Sequence, residues 1–497
     1  MDDEADHTRR WLINASGAAL LTGAIPAASA FGQNARAAGG AAIGDDTAIS
    51  PAAIAIADYV ANALDRELPP DVLAATKLHV LDTLAAIVSG SRLKPGELAA
   101  RYVDGLGGKP QAIVIGTGIV TSTVNAALAN AMAAHADETD DTNPIGPVHL
   151  GCAAVPAALA TGELRGRSGA DFLRAVSTAY DIGARVVSSL GVGEGSRRHS
   201  PSCLTNTFVA ATAAAAMLRL DQRQVRHTFS YAAQQASGIG LWTRDHEHIE
   251  KAFDFGGMGA RNGVMAATMV EMGCSGVDDP FSGKENIYTS LSDKPAPEKL
   301  LARLGSDYAV FGTTIKKWSV GAPLQSVLDS VAALLENPRV RADNIGHIRV
   351  DMPSTSLRIV DNSTISDLCL QHLVGLMIVD RGASFAAVHD AARMGDPKVL
   401  AVRKLVELVG SEELQNAVPA RQAIVKIDTL DGGSFRHRTV VVRGTARNPM
   451  DAKEVEAKAL DLLVPVLGSG RANELIVAVR DLDRFGPVTG LRRLLQA

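Results

Sequence analysis

The sequence predicts a mostly α-helical protein with an inserted α+β lid, the large all-helical domain being formed by both ends of the chain. Three observations predict it. Apolar residues recur three and four apart from Pro51 to about residue 305, which is the period of one helix face. From about residue 310 the pattern shifts to β-branched runs, two of them flanking Asp431-Gly432-Gly433, a hairpin turn signal. Beyond Asn448-Pro449 the helical spacing returns, so the chain is expected to dock back on its first part. The boundaries that follow are helical residues 50–308, an α+β unit over 309–447 and a second helical piece over 448–497.

In chain order, Thr8-Arg9-Arg10-Trp11-Leu12-Ile13, an apolar stretch to Ile25 and Ala28-Ser29-Ala30 read as a twin-arginine signal over residues 1–30. It implies export of a folded protein to the periplasm. The acidic start (Asp2, Asp3, Glu4, Asp6) supports the alternative, a cytoplasmic protein with a disordered extension. Residues 31–49, rich in Gly and Ala, form a flexible lead-in. From Pro51 to Gly90 the pattern is amphipathic helix, with Gly90 placed as its C-cap. A short β-rich run falls at Ala112–Ile115. Helices are expected over Thr123–His135, Cys152–Ala160, Ala170–Leu190, Cys203–Leu220, Asp221–Ser237 and Ala260–Met272. In the lid, His347–Met352, Ala423–Ile427 and Thr439–Arg443 read as strands, and Val455–Leu467 and Ala472–Leu482 close the chain as helix.

At 497 residues the chain exceeds an ordinary single core, so at least two folding units are expected. It is 46% apolar but only 4% aromatic, so those cores are packed from small helix-forming side chains. A formal charge of -5 with scattered Lys and Arg gives no basic field and argues against nucleic acid. No segment after the leader has about eighteen uninterrupted apolar residues, so no membrane span is expected. Cys152, Cys203, Cys274 and Cys369 are too scattered for a disulfide framework or metal site and read as buried small hydrophobes. There is no Gly-rich phosphate loop either.

Four polar clusters remain. In His135-Ala136-Asp137-Glu138-Thr139-Asp140-Asp141-Thr142, followed by His149, four carboxylates fall within five positions. They repel one another unless cations or donors reach them, so alone the cluster reads as a solvated helix end; its spacing does not match an EF-hand loop. Arg197-Arg198-His199-Ser200-Pro201 opens a helix, and a helix N-terminus with two arginines favours an anion. Lys316-Lys317-Trp318 lies at the seam where the lid begins, a usual place for a small-molecule site. Lys251 follows His246 and His248, which stand two apart without a third ligand at helical spacing, so no metal is expected.

These clusters occur in an order that resembles the MmgE/PrpD family from about residue 50 to 490. The matching stretches are His79-Val80-Leu81-Asp82-Thr83-Leu84, Asp140-Asp141-Thr142 with His149, and His199-Ser200-Pro201. Gln235-Ala236-Ser237-Gly238, Lys251 with Ala260-Arg261-Asn262-Gly263, and Lys316-Lys317-Trp318 complete the set. The resemblance implies a helical domain with an inserted lid, a homodimer, and chemistry at carbon next to a carboxylate without metal or organic cofactor. It implies catalytic roles for His149, His199, Lys316, Lys251, Glu138 and Thr142. Arg197, Arg198, Asp141 and Lys317 are expected to bind a small carboxylate substrate. Glu138 stands where the family usually has aspartate, and a lid histidine of its decarboxylases falls on Gly321, which leaves the substrate open. A lyase that dehydrates is the expected activity. An epimerase, a decarboxylase or a non-catalytic exported carboxylate-binding protein are the alternatives.

Overall fold

The computed structural model describes residues 48–146, 148–191 and 199–496. The twin-arginine leader lies outside the described residues, as do Arg197 and Arg198. What is described is mostly helix with a small α+β part, as the periodicity predicts. The first apolar stretch is two helices, α1 (Pro51–Ala61) and α2 (Pro70–Gly90). A 3₁₀ turn at Ala63–Asp65 lies between them, and Pro69-Pro70 sets where α2 begins, because proline suits the first helical turn and bars helix in the residue before it. After α2 come α3 (Lys94–Leu106), the short ladder of β1 (Ala112–Ile113) with β2 (Val120–Thr121), and α4 (Thr123–Ala134).

Gly90 is the last residue of α2, and Ser91, not Gly90, takes the cap position. The glycine is there for close approach: a β-carbon on it would lie 1.9 Å from the carbonyl oxygen of Ala133 in α4. Gly90→Ala is expected to destabilise the protein by about 1–3 kcal/mol through overpacking, although alanine in an open helix would gain roughly 1 kcal/mol. A melting temperature at or above wild type would contradict that account of the α2–α4 contact.

The helical unit continues with α5 (Gly151–Arg165), α6 (Gly169–Leu190), α7 (Pro201–Leu218), α8 (Gln222–Gln235), α9 (Ile249–Ala252) and α10 (Met258–Glu271). Every residue of α7 from Ser202 to Leu218 is buried. Its alanines allow this, since small side chains let α5, α6 and α10 pack closely around it. A single hydrophobic cluster joins residues 53–315 to Met450–Leu495, so both chain ends share one core.

A second cluster, from Val320 to Ile427, belongs to the lid. Its sheet runs β4 (Val406–Ser411), β3 (Ile345–Pro353), β5 (Ala423–Thr429), β6 (Ser434–Thr439), parallel between β3 and β4 and antiparallel elsewhere. The hairpin turn is at Asp431-Gly432-Gly433, where Gly432 has φ +83°. Because Asp428 pairs with Ser434, the second strand begins directly after the turn and ends at Thr439, five residues earlier in its start than the sequence suggests. The long C-terminal helix, Ala452–Arg480, breaks at Gly468, which separates the two helical stretches expected there.

Among the described residues, three helices are long and apolar enough to cross a membrane by length and composition, although none is an uninterrupted apolar run: Pro70–Gly90, Pro201–Leu218 and Ala452–Arg480. In the second, 94% of the apolar window is buried inside the protein, so its apolarity is used in the core. Cys152, Cys203 and Cys369 are buried, but Cys274 is exposed.

Candidate active site

The acidic stretch is not solvated. α4 ends where His135 leaves helical geometry (φ −113°, ψ 34°), and the turn that follows runs into the protein. Asp137 is 3% exposed, Glu138 5%, and Asp140 and Asp141 0%. Burial of four carboxylates is tolerable only because each has its own donors, drawn from distant parts of the chain.

Asp141 is committed to the fold. Its Oδ2 accepts from His79 Nδ1 at 2.7 Å and from the Tyr180 hydroxyl at 2.6 Å, and its Oδ1 from the Gly151 amide at 3.1 Å. The expected substrate-binding role is therefore replaced by anchoring the turn to α2, α5 and α6.

Asp140 is shared by two histidines. Nδ1 of His135 and Nδ1 of His149 each lie 2.9 Å from its Oδ1. Both Nδ1 atoms face the same acceptor, so each donates there and Nε2 is left as the other ring position. Burial raises the Asp140 carboxyl, but the two imidazoles outweigh it and hold the group well below the usual carboxylate range. Burial pushes His149 down to about 4, and Asp140 only partly offsets this. His149 is thus a neutral imidazole at pH 7.

Glu138 sits between two ammonium groups. Lys251 donates to its Oε1, and Lys316 Nζ stands 3.9 Å from its Oε2 and 3.9 Å from Asp140 Oδ1. Lys316 also donates to the Glu138 carbonyl and is fully buried. Although burial acts to raise the Glu138 carboxyl, the two lysines keep it ionised. The backbone brings Lys316 here through a two-way antiparallel bridge between Thr142 and Thr314, with N–H···O distances of 3.0 and 2.8 Å. Thr142 therefore contributes a backbone bridge at the seam.

Lys251 arrives on α9, followed by a π-helical turn at Phe253–Gly257. That turn lays Phe255 flat on His135, with ring centroids 4.6 Å apart and planes 9° from parallel. Such insertions recur at functional sites because they re-aim side chains within a helix.

The remaining expected residues separate. Lys317 is half-buried over the Trp318 ring, 4.8 Å from its centroid, and does not join Lys316 in the cluster. His199 is half-buried just before α7, and among the described residues no hydrogen bond, ion pair or ring contact connects it to His149 or Lys316. Its neighbour Ser200 donates to Asp254.

Sequence reasoning named His135, Asp140 and His248 within its clusters without giving them a role, and did not single out His389. His248, two residues after His246, has a left-handed backbone (φ 60°) that turns its ring to 5.3 Å from that of His135. Burial and the nearby Lys251 push it down to about 3. The ligand atoms of His135, Glu138 and His248 lie within 4.8 Å of one another, as do those of His135, Asp140 and His149. These are metal-ligand types that no local spacing reveals. However, Lys251 pairs with Glu138 and Lys316 flanks both carboxylates, so a divalent ion would meet two fixed cations. We assign no metal to them.

Residues 54–300 match the family model for the MmgE/PrpD N-terminal domain, and residues 318–484 that for the MmgE/PrpD C-terminal domain. The chain is similar to the cis-aconitate decarboxylase of Aspergillus terreus (strain NIH 2624 / FGSC A1156). Identity is 24% over 484 residues, covering 91% of this chain and 97% of that protein. It is also similar to the cis-aconitate decarboxylase-like protein oryM of Aspergillus oryzae (strain ATCC 42149 / RIB 40), 25% identical over 311 residues, or 59% of this chain and 64% of the other.

Proposed function

The chain belongs to the MmgE/PrpD family, and from that premise we propose that it is a lyase dehydrating a small hydroxy acid at carbon next to a carboxylate, without metal or organic cofactor. One observation carries the reading: a neutral imidazole, His149, is oriented by the buried Asp140 carboxylate, from which Lys316 Nζ stands 3.9 Å away. His149 Nε2 takes the proton from the carbon next to the substrate carboxylate. The C–H electron pair passes into the carboxylate as an enediolate, whose second negative charge Lys316 and Lys251 stabilise. Return of that pair forms the carbon–carbon double bond and expels hydroxide from the next carbon, which leaves as water with the proton that His149 took, so the ring returns to its neutral form. Because Lys316 and Glu138 are buried, substrate enters when the lid moves aside.

Decarboxylation is the second reading, favoured by the named activity of the Aspergillus relatives. In that case the enediolate forms by loss of CO₂ and is protonated at carbon. Purified protein is tested against hydroxy and amino dicarboxylates and unsaturated tricarboxylates, following water loss, CO₂ and optical rotation before and after exhaustive chelation. Loss of water that survives chelation is expected. Release of CO₂ would replace dehydration by decarboxylation, and a change of rotation alone would indicate an epimerase. Ligand-dependent thermal stabilisation without turnover would reduce the protein to a carboxylate binder. Loss of turnover restored by one metal would overturn the cofactor-free mechanism.

A further inference from the structure

We infer that His389 is a positioning residue for this site: it is a second contact, beside Lys316, through which the lid clamps the acidic turn, and through Asp137 it fixes where Glu138 stands. The inference rests on the proposed function in taking Glu138 and its lysines as working groups. The turn is held at three successive residues by three cations from separate parts of the chain. His389 Nε2 stands 2.9 Å from Asp137 Oδ2, Lys316 donates to the Glu138 carbonyl, and Lys458 of the C-terminal helix donates to the Thr139 carbonyl at 3.0 Å. Asp137 is also tied to its own turn, accepting from the Thr139 amide at 3.0 Å and from the Thr139 hydroxyl at 2.5 Å. A pull on Asp137 is therefore transmitted to the residues on either side of Glu138.

His389 is itself held rigidly. It ends the lid helix Phe385–His389, its Nδ1 lies 2.9 Å from the Phe385 carbonyl, and its ring stacks on Phe385 with centroids 4.1 Å apart. The Phe385 amide donates to Asp461 of the C-terminal helix at 2.7 Å, so this lid helix is moored to the helical unit at both ends. Its Nδ1 hydrogen-bonds the Phe385 carbonyl and its Nε2 lies within ion-pair distance of Asp137 Oδ2, an arrangement that favours a positive charge on the ring.

The charged groups around it come from four elements. Asp137 lies on the turn and Asp367 on the lid segment Ser366–Leu368; Asp461 and Lys458 lie on the C-terminal helix, and Asp390 and Arg393 follow on the lid. Lys458 is occupied by Asp82 and Arg393 by Asp380. Burial acts to lower His389, but Asp137 and Asp367 outweigh it and raise it to about 9. The clamp is thus charged below that pH and released as pH rises through it.

The test uses the full chain and compares wild type, His389→Gln, His389→Lys, Asp137→Asn and the double variant His389→Gln/Asp137→Asn. The first readout needs no substrate. Amide exchange at the Thr139 turn, compared at one pH, should quicken by about 10-fold or more in His389→Gln and stay slow in His389→Lys. The second is kinetic. Wild-type kcat should fall as pH rises through about 9, and His389→Gln should lose about 10–100-fold in kcat with little change in KM, the usual cost of losing a partner that orients a working group. His389→Lys should recover part of that rate and move the alkaline limb upward, and the double variant should be no slower than either single one. The inference is overturned if His389→Gln leaves exchange unchanged, if it keeps the wild-type rate and alkaline limb, or if its loss adds to that of Asp137→Asn. A turn that loosens as expected in a protein that turns over no substrate would instead discard the proposed function and leave the clamp standing.

Discussion

Removing the Lys316 ammonium is expected to lower turnover by about 10²–10³, on the order of 2.7–4 kcal/mol of transition-state stabilisation. In the proposed reaction, the charge that builds on the substrate carboxylate as its neighbouring carbon loses a proton needs a cation already in place. Lys316 is such a cation: it is fully buried and fixed by the Glu138 carbonyl. Its burial has a second consequence that a solvated lysine would not have. Lys316→Ala leaves Glu138 and Asp140 facing each other without the charge 3.9 Å from both; removing one partner of a buried pair costs up to about 3–5 kcal/mol, and less here because Lys251 still pairs with Glu138. The variant should therefore melt earlier as well as react more slowly. Lys316→Met combined with Glu138→Gln removes both members of the pair, and should recover much of the melting temperature while turnover stays low. Lys317→Ala is the control: that side chain stacks on Trp318 outside the cluster, and its loss should alter little. Equal behaviour of the Lys316→Ala and Lys317→Ala variants, or recovery of rate in the double variant, would remove Lys316 from the mechanism.

How far this site was legible in the sequence depends on which contacts are local. Helix positions α4 to α8 and α10 follow from apolar spacing, because the burial that selects those residues acts within one helix. The separate lid follows from the change of period near residue 310. By contrast, β4 has only Val406-Glu407-Leu408-Val409 to mark it, and its pairing with β3 is set by a crossover of more than fifty residues. Within the site, the acidic turn stands out by composition alone, but its burial does not. Four adjacent carboxylates read as solvated until His79, Tyr180, His135, His149, Lys251, Lys316 and His389 are brought to them, and these lie between 5 and more than 250 positions away. The same limit explains Asp141 and Asp140. Neighbours in sequence, they point to opposite duties, one to the core and one to the histidines, because the turn after α4 sends successive side chains in different directions. Lys316 and Lys317 divide in the same way.

Replacing His149 by asparagine is expected to cut turnover by about 10²–10⁴ while leaving ligand-induced stabilisation largely intact, the range usual for loss of a positioned proton-transfer group. Asparagine keeps an amide that can still donate to Asp140, so the buried carboxylate is not orphaned and the fold should survive; what disappears is the basic Nε2. The pH dependence gives an independent check. Burial lowers His149 to about 4 from an ordinary 6.5, so its charged form is disfavoured in the folded protein. Between those values an unfolded chain binds a proton that the folded one refuses, and stability falls as pH falls through that window. The group is neutral, and competent as a base, at every pH above it. Wild-type kcat/KM should accordingly hold its value down to about pH 5 and drop as pH approaches about 4. His149→Asn should lose both the rate and that acid limb, and its melting temperature should depend less on pH between 4 and 6.5. Two rings share Asp140, so His135→Asn is the discriminating companion: His135 packs under Phe255, fully buried, and its replacement should cost stability more than the acid limb. If the acid limb disappears in His135→Asn and persists in His149→Asn, the proton passes through the other ring, and if both variants keep near-full rates, neither ring is the base.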